Sequence, residues 1–214
     1  MTQTNTKQLR FPGIIPPKAL LSAEDEERLS DRQREILVEL EKLLMTRTVS
    51  DLTMANVAAL LNCSMRSLYN LAQSKDELFL LVADRKLRQV GRQAMQQIDG
   101  TLPPMTALRL YLESTNKAVQ PDSLVLRRNL ASLAGGRELG ESHRNFIIQI
   151  TTKLLDRALE NGDIKRVDTH ATAMVLGGLG RMFSQAEIAE TLEASPQETA
   201  RQMIDIILDG LRPN

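Results

Sequence analysis

The stretch that decides the fold runs from Val49 to Leu80 and reads VSDLTMANVAALLNCSMRSLYNLAQSKDELFL. Thr53 is a residue type that begins helices, and apolar residues then recur at the i, i+3, i+4 and i+7 spacing of one helical face. These residues are Met54, Val57, Ala58 and Leu61. The sequence therefore predicts a short amphipathic helix that starts after Thr53.

A tight turn and a second short helix follow this face. Asn62 suits the turn, because asparagine adopts a left-handed backbone more readily than most residues that carry a Cβ, and Ser64 can cap the next helix. The apolar side of that helix would contain Met65, Leu68 and Ala72. Its opposite side carries polar residues and no acid: Arg66, Ser67, Asn70 and Gln73. Residues 74–77 read Ser-Lys-Asp-Glu, a capping box that predicts a third helix continuing to about residue 98.

The polar side of the second helix has the chemistry of a base-reading surface. The forked guanidinium of Arg66 can bind guanine O6 and N7, the Asn70 amide can pair with adenine, and Ser67 can bond either base edge. Lys75 would stand in the first turn of the third helix, where backbone N–H groups favour a phosphate. Periodicity alone leaves two interpretations open: a helix-turn-helix DNA reader, or a three-helix core with a solvated polar face.

Several motifs in this stretch agree in register with a known family. They are Thr53-Met54, Val57-Ala58, Cys63-Ser64, Leu68-Tyr69 and Ser74-Lys75-Asp76-Glu77-Leu78. From about Asp31 to Leu81, the sequence resembles the amino-terminal signature of the TetR (tetracycline-repressor) family of transcriptional regulators. The resemblance implies an all-helical, homodimeric repressor whose carboxy-terminal domain binds a small effector.

The resemblance also implies roles for individual residues. Thr53, Tyr69 and Lys75 would contact phosphates, and the segment from Met65 to Asn70 would read bases. The complete predicted DNA-binding set is Thr53, Ser64, Met65, Arg66, Ser67, Tyr69, Asn70 and Lys75. The sequence departs from the family pattern in three places: Leu71-Ala72 replaces two aromatic residues, Asn62 replaces glycine, and Arg66 replaces a residue that is often small.

Composition restricts the fold class and the partners. Hydrophobic residues make up 42% of the 214-residue chain and aromatic residues only 3%. Few segments alternate with period two, so we expect an all-α protein with an aliphatic core. Lysine plus arginine and aspartate plus glutamate both number 27, giving zero formal net charge, which argues against non-specific coating of nucleic acid. This neutrality and Leu71-Ala72 motivate an alternative function, a helical ligand- or partner-binding dimer of the same fold that binds no operator.

The expected organisation has three parts: an amino-terminal arm over 1–29, a helix-turn-helix domain over 30–80, and a ligand-binding and dimerisation bundle over 81–214. In the arm, a helical turn capped by Ser22 is predicted over Ala23 to Arg28. Another capping box, Ser30-Asp31-Arg32-Gln33, opens the supporting helix of the second part. The bundle helices are predicted over Met105 to about Val119, from Pro121 to the Gly135-Gly136 pair, and over Glu141 to Glu160, Asp168 to about Ala189 and Pro196 to Leu211.

The bundle supplies two further sets of candidates. A cavity among its helices would be apolar with a few polar anchors; the candidate ligand-binding residues are Met95, Met105, Arg109, Tyr111, Asn116, Arg128, His143 and Phe146. Mid-helix glycine costs about 1 kcal/mol relative to alanine, so the Gly177-Gly178-Leu179-Gly180 run indicates close approach of another helix. The alternative is a helix break at these glycines. The candidate dimer interface is Val175, Gly178, Leu179, Met182, Met203, Ile204, Ile207 and Leu211.

Catalytic, metal and membrane functions have no support in the sequence. It contains no Gly-rich phosphate loop and no GxSxG, HExxH or CxxC motif, so we expect no enzyme, no cofactor and no metal site. The single cysteine, Cys63, suits a reducing compartment. No apolar run approaches the roughly 18 residues of a membrane span, and no signal peptide is recognisable. We expect a cytoplasmic protein whose partners are double-stranded DNA with a palindromic operator, a second copy of itself and a small effector.

Overall fold

The structure is a computed structural model that describes residues 11–117 and 121–213; for residues 117, 121–124 and 186 it describes the backbone only. The polar segment before residue 9 lies outside these ranges. Every regular element within them is an α-helix, which confirms the all-α prediction. The helices are α1 (Ala23–Arg28), α2 (Asp31–Thr46), α3 (Met54–Leu60), α4 (Met65–Tyr69), α5 (Lys75–Gln96), α6 (Pro104–Lys117), α7 (Pro121–Ser132), α8 (Gly136–Glu160), α9 (Thr169–Phe183), α10 (Ala186–Ala189) and α11 (Pro196–Gly210).

The first of two compact units comprises residues 17–89 together with residues 121–143. Its aliphatic core draws on α2, α3, α4, α5 and α7, and includes Ile36, Leu40, Val57, Leu68, Leu78, Val82, Leu126, Leu130 and Leu133. This division differs from the expected boundary after residue 80, because the apolar side of α7 packs on α2. Periodicity identifies an apolar helix face but not the core that it joins.

The caps predicted at the start of this unit are present. Ser22 caps α1, and its side chain accepts from the Asp25 amide at 3.0 Å. Ser30 and Gln33 form the predicted capping box of α2: the Ser30 hydroxyl accepts from the Gln33 amide, and the Gln33 side chain accepts from the Ser30 amide at 2.9 Å. These bonds satisfy backbone donors that a helix leaves unpaired at its first turn.

The second unit contains the described residues of 1–16, 90–120 and 144–214. α9 packs on α11 and α11 on α6, around a core that includes Leu108, Tyr111, Leu112, Ile150, Leu154, Leu176, Ile204 and Leu208. From the arm, Phe11 and Ile14 pack partly on this core, whereas Ile15 is exposed. No helix in the described ranges is both long and apolar enough to cross a bilayer.

Two helices of the bundle differ from their expected bounds. α8 begins at Gly136 instead of Glu141, directly after the left-handed Gly135 (φ 82°). α9 runs through the three glycines without a break and ends at Phe183, with α10 as a separate turn. A Cβ on Gly177 would lie 3.1 Å from Cγ1 of Ile148, so this glycine permits a close approach of α9 to α8 within one chain.

Candidate nucleic-acid interface

A reciprocal cap fixes the start of α3. The Thr53 hydroxyl accepts from the Asn56 amide at 3.1 Å, and the Asn56 side chain accepts from the Thr53 amide at 2.9 Å. The sequence predicted the cap at Thr53, but the reciprocal bond from Asn56 was not foreseen because the usual partner at that position is glutamate or glutamine. Thr53 is exposed, yet its hydroxyl already has two local partners: it accepts from the Asn56 backbone amide and donates to Asn56 Oδ1 at 2.7 Å.

A left-handed turn joins α3 to α4, as predicted. Asn62 has φ 46°, and no other non-glycine residue in the described chain has positive φ. The Cys63 amide donates to Ala58 O at 3.0 Å and so closes the end of α3. Arg32 supports the same turn from α2, because its Nη2 donates to the carbonyls of Leu61 (3.3 Å) and Asn62 (3.2 Å). Sequence analysis did not identify this role of Arg32, since a carbonyl acceptor has no signature in the sequence.

α4 buries one side and exposes the other. Leu68 is fully buried, whereas Met65, Arg66, Tyr69 and Asn70 are exposed. Apart from its own backbone, Arg66 has no hydrogen bond or ion pair to any residue that the structure describes. A guanidinium kept unpaired on a polar surface is free to bind an external acceptor. The predicted reading side of this helix is therefore accessible.

The serines of α4 are partly engaged with each other. Ser64 caps the helix by accepting from the Ser67 amide at 3.1 Å, and the two hydroxyls lie 2.9 Å apart. Asn70 is the C-cap of α4 and not an interior residue. Its side chain consequently lies at the carboxy-terminal end of the helix, beside Tyr69.

The ammonium of Lys75 has partners inside the chain. Its Nζ donates to the carbonyls of Ser50 (2.7 Å) and Val49 (3.3 Å) and lies 3.9 Å from Asp76. Lys75 therefore holds the loop before α3, a role that the sequence did not reveal. The predicted capping box at residues 74–77 is half formed: Ser74 accepts from the Glu77 amide, but the Glu77 carboxylate accepts from the backbone of Gln73.

Comparison with solved structures places this geometry in a known fold. No protein-family model matches the sequence, and neither does any curated protein. A TetR transcription regulator from Haloarcula marismortui superposes with a TM-score of 0.72 at 20% identity, over 86% of this chain and 100% of its own. A TetR-family regulatory protein from Rhodococcus RHA1 gives 0.67 at 16% identity, over 87% and 100%. PfmR, a TetR-family transcriptional regulator from Thermus thermophilus, gives 0.61 at 20%, over 83% and 99%.

The chain has the TetR-family fold. The residues that depart from the family pattern are accommodated within it: Ala72 is buried in the core of the first unit, and Leu71 is half-buried against that core. Both side chains therefore pack into the core of the first unit and leave the exposed side of α4 unobstructed.

The ligand-binding candidates are divided between the two compact units. Arg128 and His143 belong to the first unit, and the other six belong to the second. Arg109 forms ion pairs with Asp205 and, at 3.2 Å, with Asp209. The buried Asn116 amide donates to Gln197 O at 3.0 Å. Arg109 and Asn116 are thus structural partners of α11 and its start. Met95, Met105 and Phe146 lie partly buried against the second unit's core.

Among the polar candidates, Arg128 is exposed and Tyr111 is buried without a partner among the described residues. Its ring is fully buried, and its hydroxyl is the one buried side-chain N or O atom without a partner in the described chain. Burial raises the pKa of this phenol far above its ordinary value, so the hydroxyl remains protonated and can donate. An unpaired buried donor is costly unless water or a ligand accepts from it.

His143 is committed to a buried cluster in the first unit. Its Nε2 lies 2.8 Å from Asp84 Oδ1, and Asp84 Oδ2 accepts from Arg88 Nε (2.8 Å) and the Leu20 amide (3.0 Å). Burial raises the pKa of Asp84, but the bonds from His143, Leu20 and Arg88 outweigh it and hold that pKa below its usual value. The expectation that His143 anchors a ligand overlooked this carboxylate, which lies far away in the sequence.

The candidate dimer-interface residues fall into two groups, those buried within the chain and those at its surface. Leu179, Ile204 and Leu211 are buried in the chain's own core, so they cannot add interface area and their assignment is corrected. Val175 and Met182 are exposed, and Gly178, Met203 and Ile207 are half-buried. Met174 and Ile206 are exposed as well and were missed. Helical spacing does not say which part of an apolar stripe faces its own core.

Proposed function

We propose that this protein is a sequence-specific DNA-binding transcriptional regulator, a repressor that a small effector releases from a palindromic operator. The observation that carries the proposal is the exposed side of α4 in a TetR fold, with Arg66 unpaired within the described chain and Asn70 and Tyr69 beside it. A short helix held after a tight turn is the element that a helix-turn-helix protein inserts into the major groove.

Each exposed side chain supports a distinct contact. Arg66 suits bidentate binding to guanine, Asn70 suits adenine, and Met65 offers an apolar contact to a thymine methyl group. Tyr69 and Ser64 carry hydroxyls suited to phosphate oxygens. The Thr53 hydroxyl can turn from Asn56 Oδ1 to a phosphate, and the Ser67 hydroxyl from Ser64 to a base edge. Of the three Lys75 donors, two are bonded to carbonyls, which leaves one for a phosphate.

A second copy of the chain would complete the reader. Met174, Val175 and Met182 on α9 and Ile206 on α11 form an exposed apolar set, and no Cβ-sized obstacle lies near Gly178. Burial of such residues between two copies is favourable by roughly 25 cal/mol per Å². Two reading helices related by a two-fold axis would lie about 34–36 Å apart, one turn of B-DNA, and would require a palindromic site.

The interface has a matched test. Val175 and Val38 are almost equally exposed, at 53% and 50%, but Val38 lies on α2 outside the proposed interface. Val175→Asp should convert a dimer to monomer in light scattering at micromolar concentration, and Val38→Asp should leave the mass unchanged. A wild-type protein that is monomeric at this concentration would contradict the proposed dimer.

The decisive experiment for the proposed function is selection of duplexes from a random pool, followed by point variants. We expect one palindromic site; Arg66→Ala should then lose discrimination at one base position of each half-site, at about 1–3 kcal/mol. Arg166 is exposed on the second unit, so Arg166→Ala removes the same charge and should retain the wild-type preference. Equal losses by Arg66→Ala on selected and random duplexes would contradict its reading role, and the absence of any selected site would favour the non-DNA-binding alternative.

The effector requires only a preference for the conformation that does not bind DNA. We assign Tyr111 as its donor, because this hydroxyl is protonated, buried and unpaired in the described chain. The aliphatic surroundings favour a largely apolar molecule with one acceptor atom. A compound that releases the selected duplex should bind Tyr111→Phe at least about tenfold more weakly, the cost of one buried hydrogen bond.

A further inference from the structure

One buried amide joins three backbone groups that are far from it in sequence. Nδ2 of Asn129, on α7, donates to the carbonyls of Leu44 and Arg47, both at 2.7 Å, and its Oδ1 accepts from the Val49 amide at 3.0 Å. Asn129 is 1% exposed. Both amide hydrogens and the oxygen are therefore used, and all the atoms concerned belong to the first unit.

These three groups lie where the backbone leaves α2. The last carbonyls of a helix have no partner within it, and Asn129 supplies one for Leu44 and one for Arg47, the C-cap of α2. The Val49 side chain is fully buried at the same place. An aliphatic residue at position 129 would leave two carbonyls and one amide unpaired in a dry interior, which is costly for each group.

The loop over 47–53 is held from a second side as well. Lys75 donates to the carbonyls of Val49 and Ser50, so Val49 is bonded through its amide to α7 and through its carbonyl to α5. This loop ends at Thr53, the cap of α3, and α3 is joined to α4 by the single left-handed turn at Asn62. A displacement of the loop would therefore displace the start of the helix pair that carries Arg66.

We propose that Asn129 is a positioning residue for DNA recognition, which sets the place of α3 and α4 by fixing the loop over 47–53. Asn129 touches no DNA, because it is buried, and it acts through the backbone of Val49. The inference rests on the proposed function, and it goes beyond it by giving α7 an indirect part in base reading, through the loop that it holds.

Asn129→Asp is the informative variant. The carboxylate keeps the size of the amide but has no hydrogen to give, so at pH 8 it opposes the Leu44 and Arg47 carbonyls. A buried carboxyl has a raised pKa, and once protonated it again has one donor and one acceptor. The preference for the selected duplex over random duplex should fall about tenfold at pH 8 and recover partly at pH 5.5.

Two controls separate positioning from loss of folded protein. Asn145→Asp makes the same chemical change at an exposed site on α8 and should show the wild-type preference at both pH values. Partial unfolding removes active protein and lowers binding to both duplexes alike, whereas displacement of α4 lowers the ratio of the two affinities. If Asn129→Asp does not fold, the same measurements are made on Asn129→Ser, which admits water and introduces no charge.

Hydrogen exchange supplies a readout that needs no DNA. The amides of the loop over 47–53 should exchange at least about tenfold faster in Asn129→Asp than in wild type, with the amides of the second unit unchanged. A wild-type affinity ratio in Asn129→Asp at both pH values, or unchanged exchange in the loop, would overturn the inference. If wild type selects no duplex, the proposed function has failed, and the exchange result then tests only whether Asn129 fixes the loop over 47–53.

Discussion

Asp84 is the residue whose replacement should most clearly disturb the first unit without changing its packing volume. Asp84→Asn keeps the shape of the side chain but removes the charge and one of the two acceptor oxygens. The carboxylate is 1% exposed and has three donors: the Leu20 amide, Arg88 Nε and His143 Nε2. An asparagine offers these donors a single acceptor oxygen. Its NH₂ group must face either one of the donors or the His143 ring in the tautomer whose Nε2 accepts.

The expected cost follows from the groups left behind. At least one buried donor loses its acceptor, at about 1–3 kcal/mol, and Arg88 loses its counter-charge. The Arg88 side chain is 21% exposed, so water replaces part of this interaction and the full penalty of an isolated buried charge does not apply. We therefore expect a loss of about 3 kcal/mol in the free energy of unfolding at pH 6, a large part of the stability of an ordinary domain.

The dependence of this stability loss on pH follows from the pKa of Asp84. Because the pKa of Asp84 is lowered in the folded protein from the ordinary 3.8, its contribution is present above that value and is lost as pH falls through the lowered one. The asparagine variant has no such group, so the difference in unfolding free energy between the two proteins should narrow only as pH falls below about 3.8. Urea unfolding followed by circular dichroism, at fixed protein concentration, measures it; Asp51→Asn, at an exposed site, is the control. A difference below 1 kcal/mol at pH 6, or one that stays constant with pH, would refute the reasoning.

Three further predictions follow from single contacts. Lys75→Ala should reduce the salt slope of duplex binding by about one, with Lys165→Ala as the charge-matched control; an unchanged salt slope would contradict a phosphate role. Tyr111→Phe removes an unpaired buried hydroxyl and should raise the unfolding free energy by about 1 kcal/mol, whereas a loss would mean that the hydroxyl has a bound partner. Gly136→Ala should lower the free energy of unfolding by more than about 2 kcal/mol, since its Cβ would overlap the Leu130 carbonyl. Gly140→Ala, with open space around it, should raise the free energy of unfolding by up to about 1 kcal/mol. Similar thermal melting temperatures for the two variants would contradict this.

Local signals predicted local structure well. The caps at Ser30, Thr53 and Ser64 and the left-handed turn at Asn62 are all present, because each depends on residues within a few positions of one another. The exposure of Arg66 and Asn70 was predicted for the same reason, but Met65, expected on the apolar side with Leu68, is exposed.

Long-range contacts were not predictable in this way. Asn129 reaches carbonyls more than eighty residues away, and any residue type can supply a carbonyl. His143 was expected at a ligand because its partner Asp84 lies 59 residues earlier. Leu179 and Ile204 carry the same apolar pattern as the exposed Val175, so only the packed structure separates core from surface.

The packing of α7 on α2 has a consequence for how proteins of this fold can be recombined. A hybrid gene that joins residues 1–80 to the remainder of another protein of this fold would strip Leu126, Leu130 and Leu133 from the apolar surface they cover, and it would remove Asn129 from the loop. One crossover point therefore cannot transfer the whole first unit to another protein. A working chimera must carry over residues 121–143 along with 17–89, as two exchanged blocks of coding sequence.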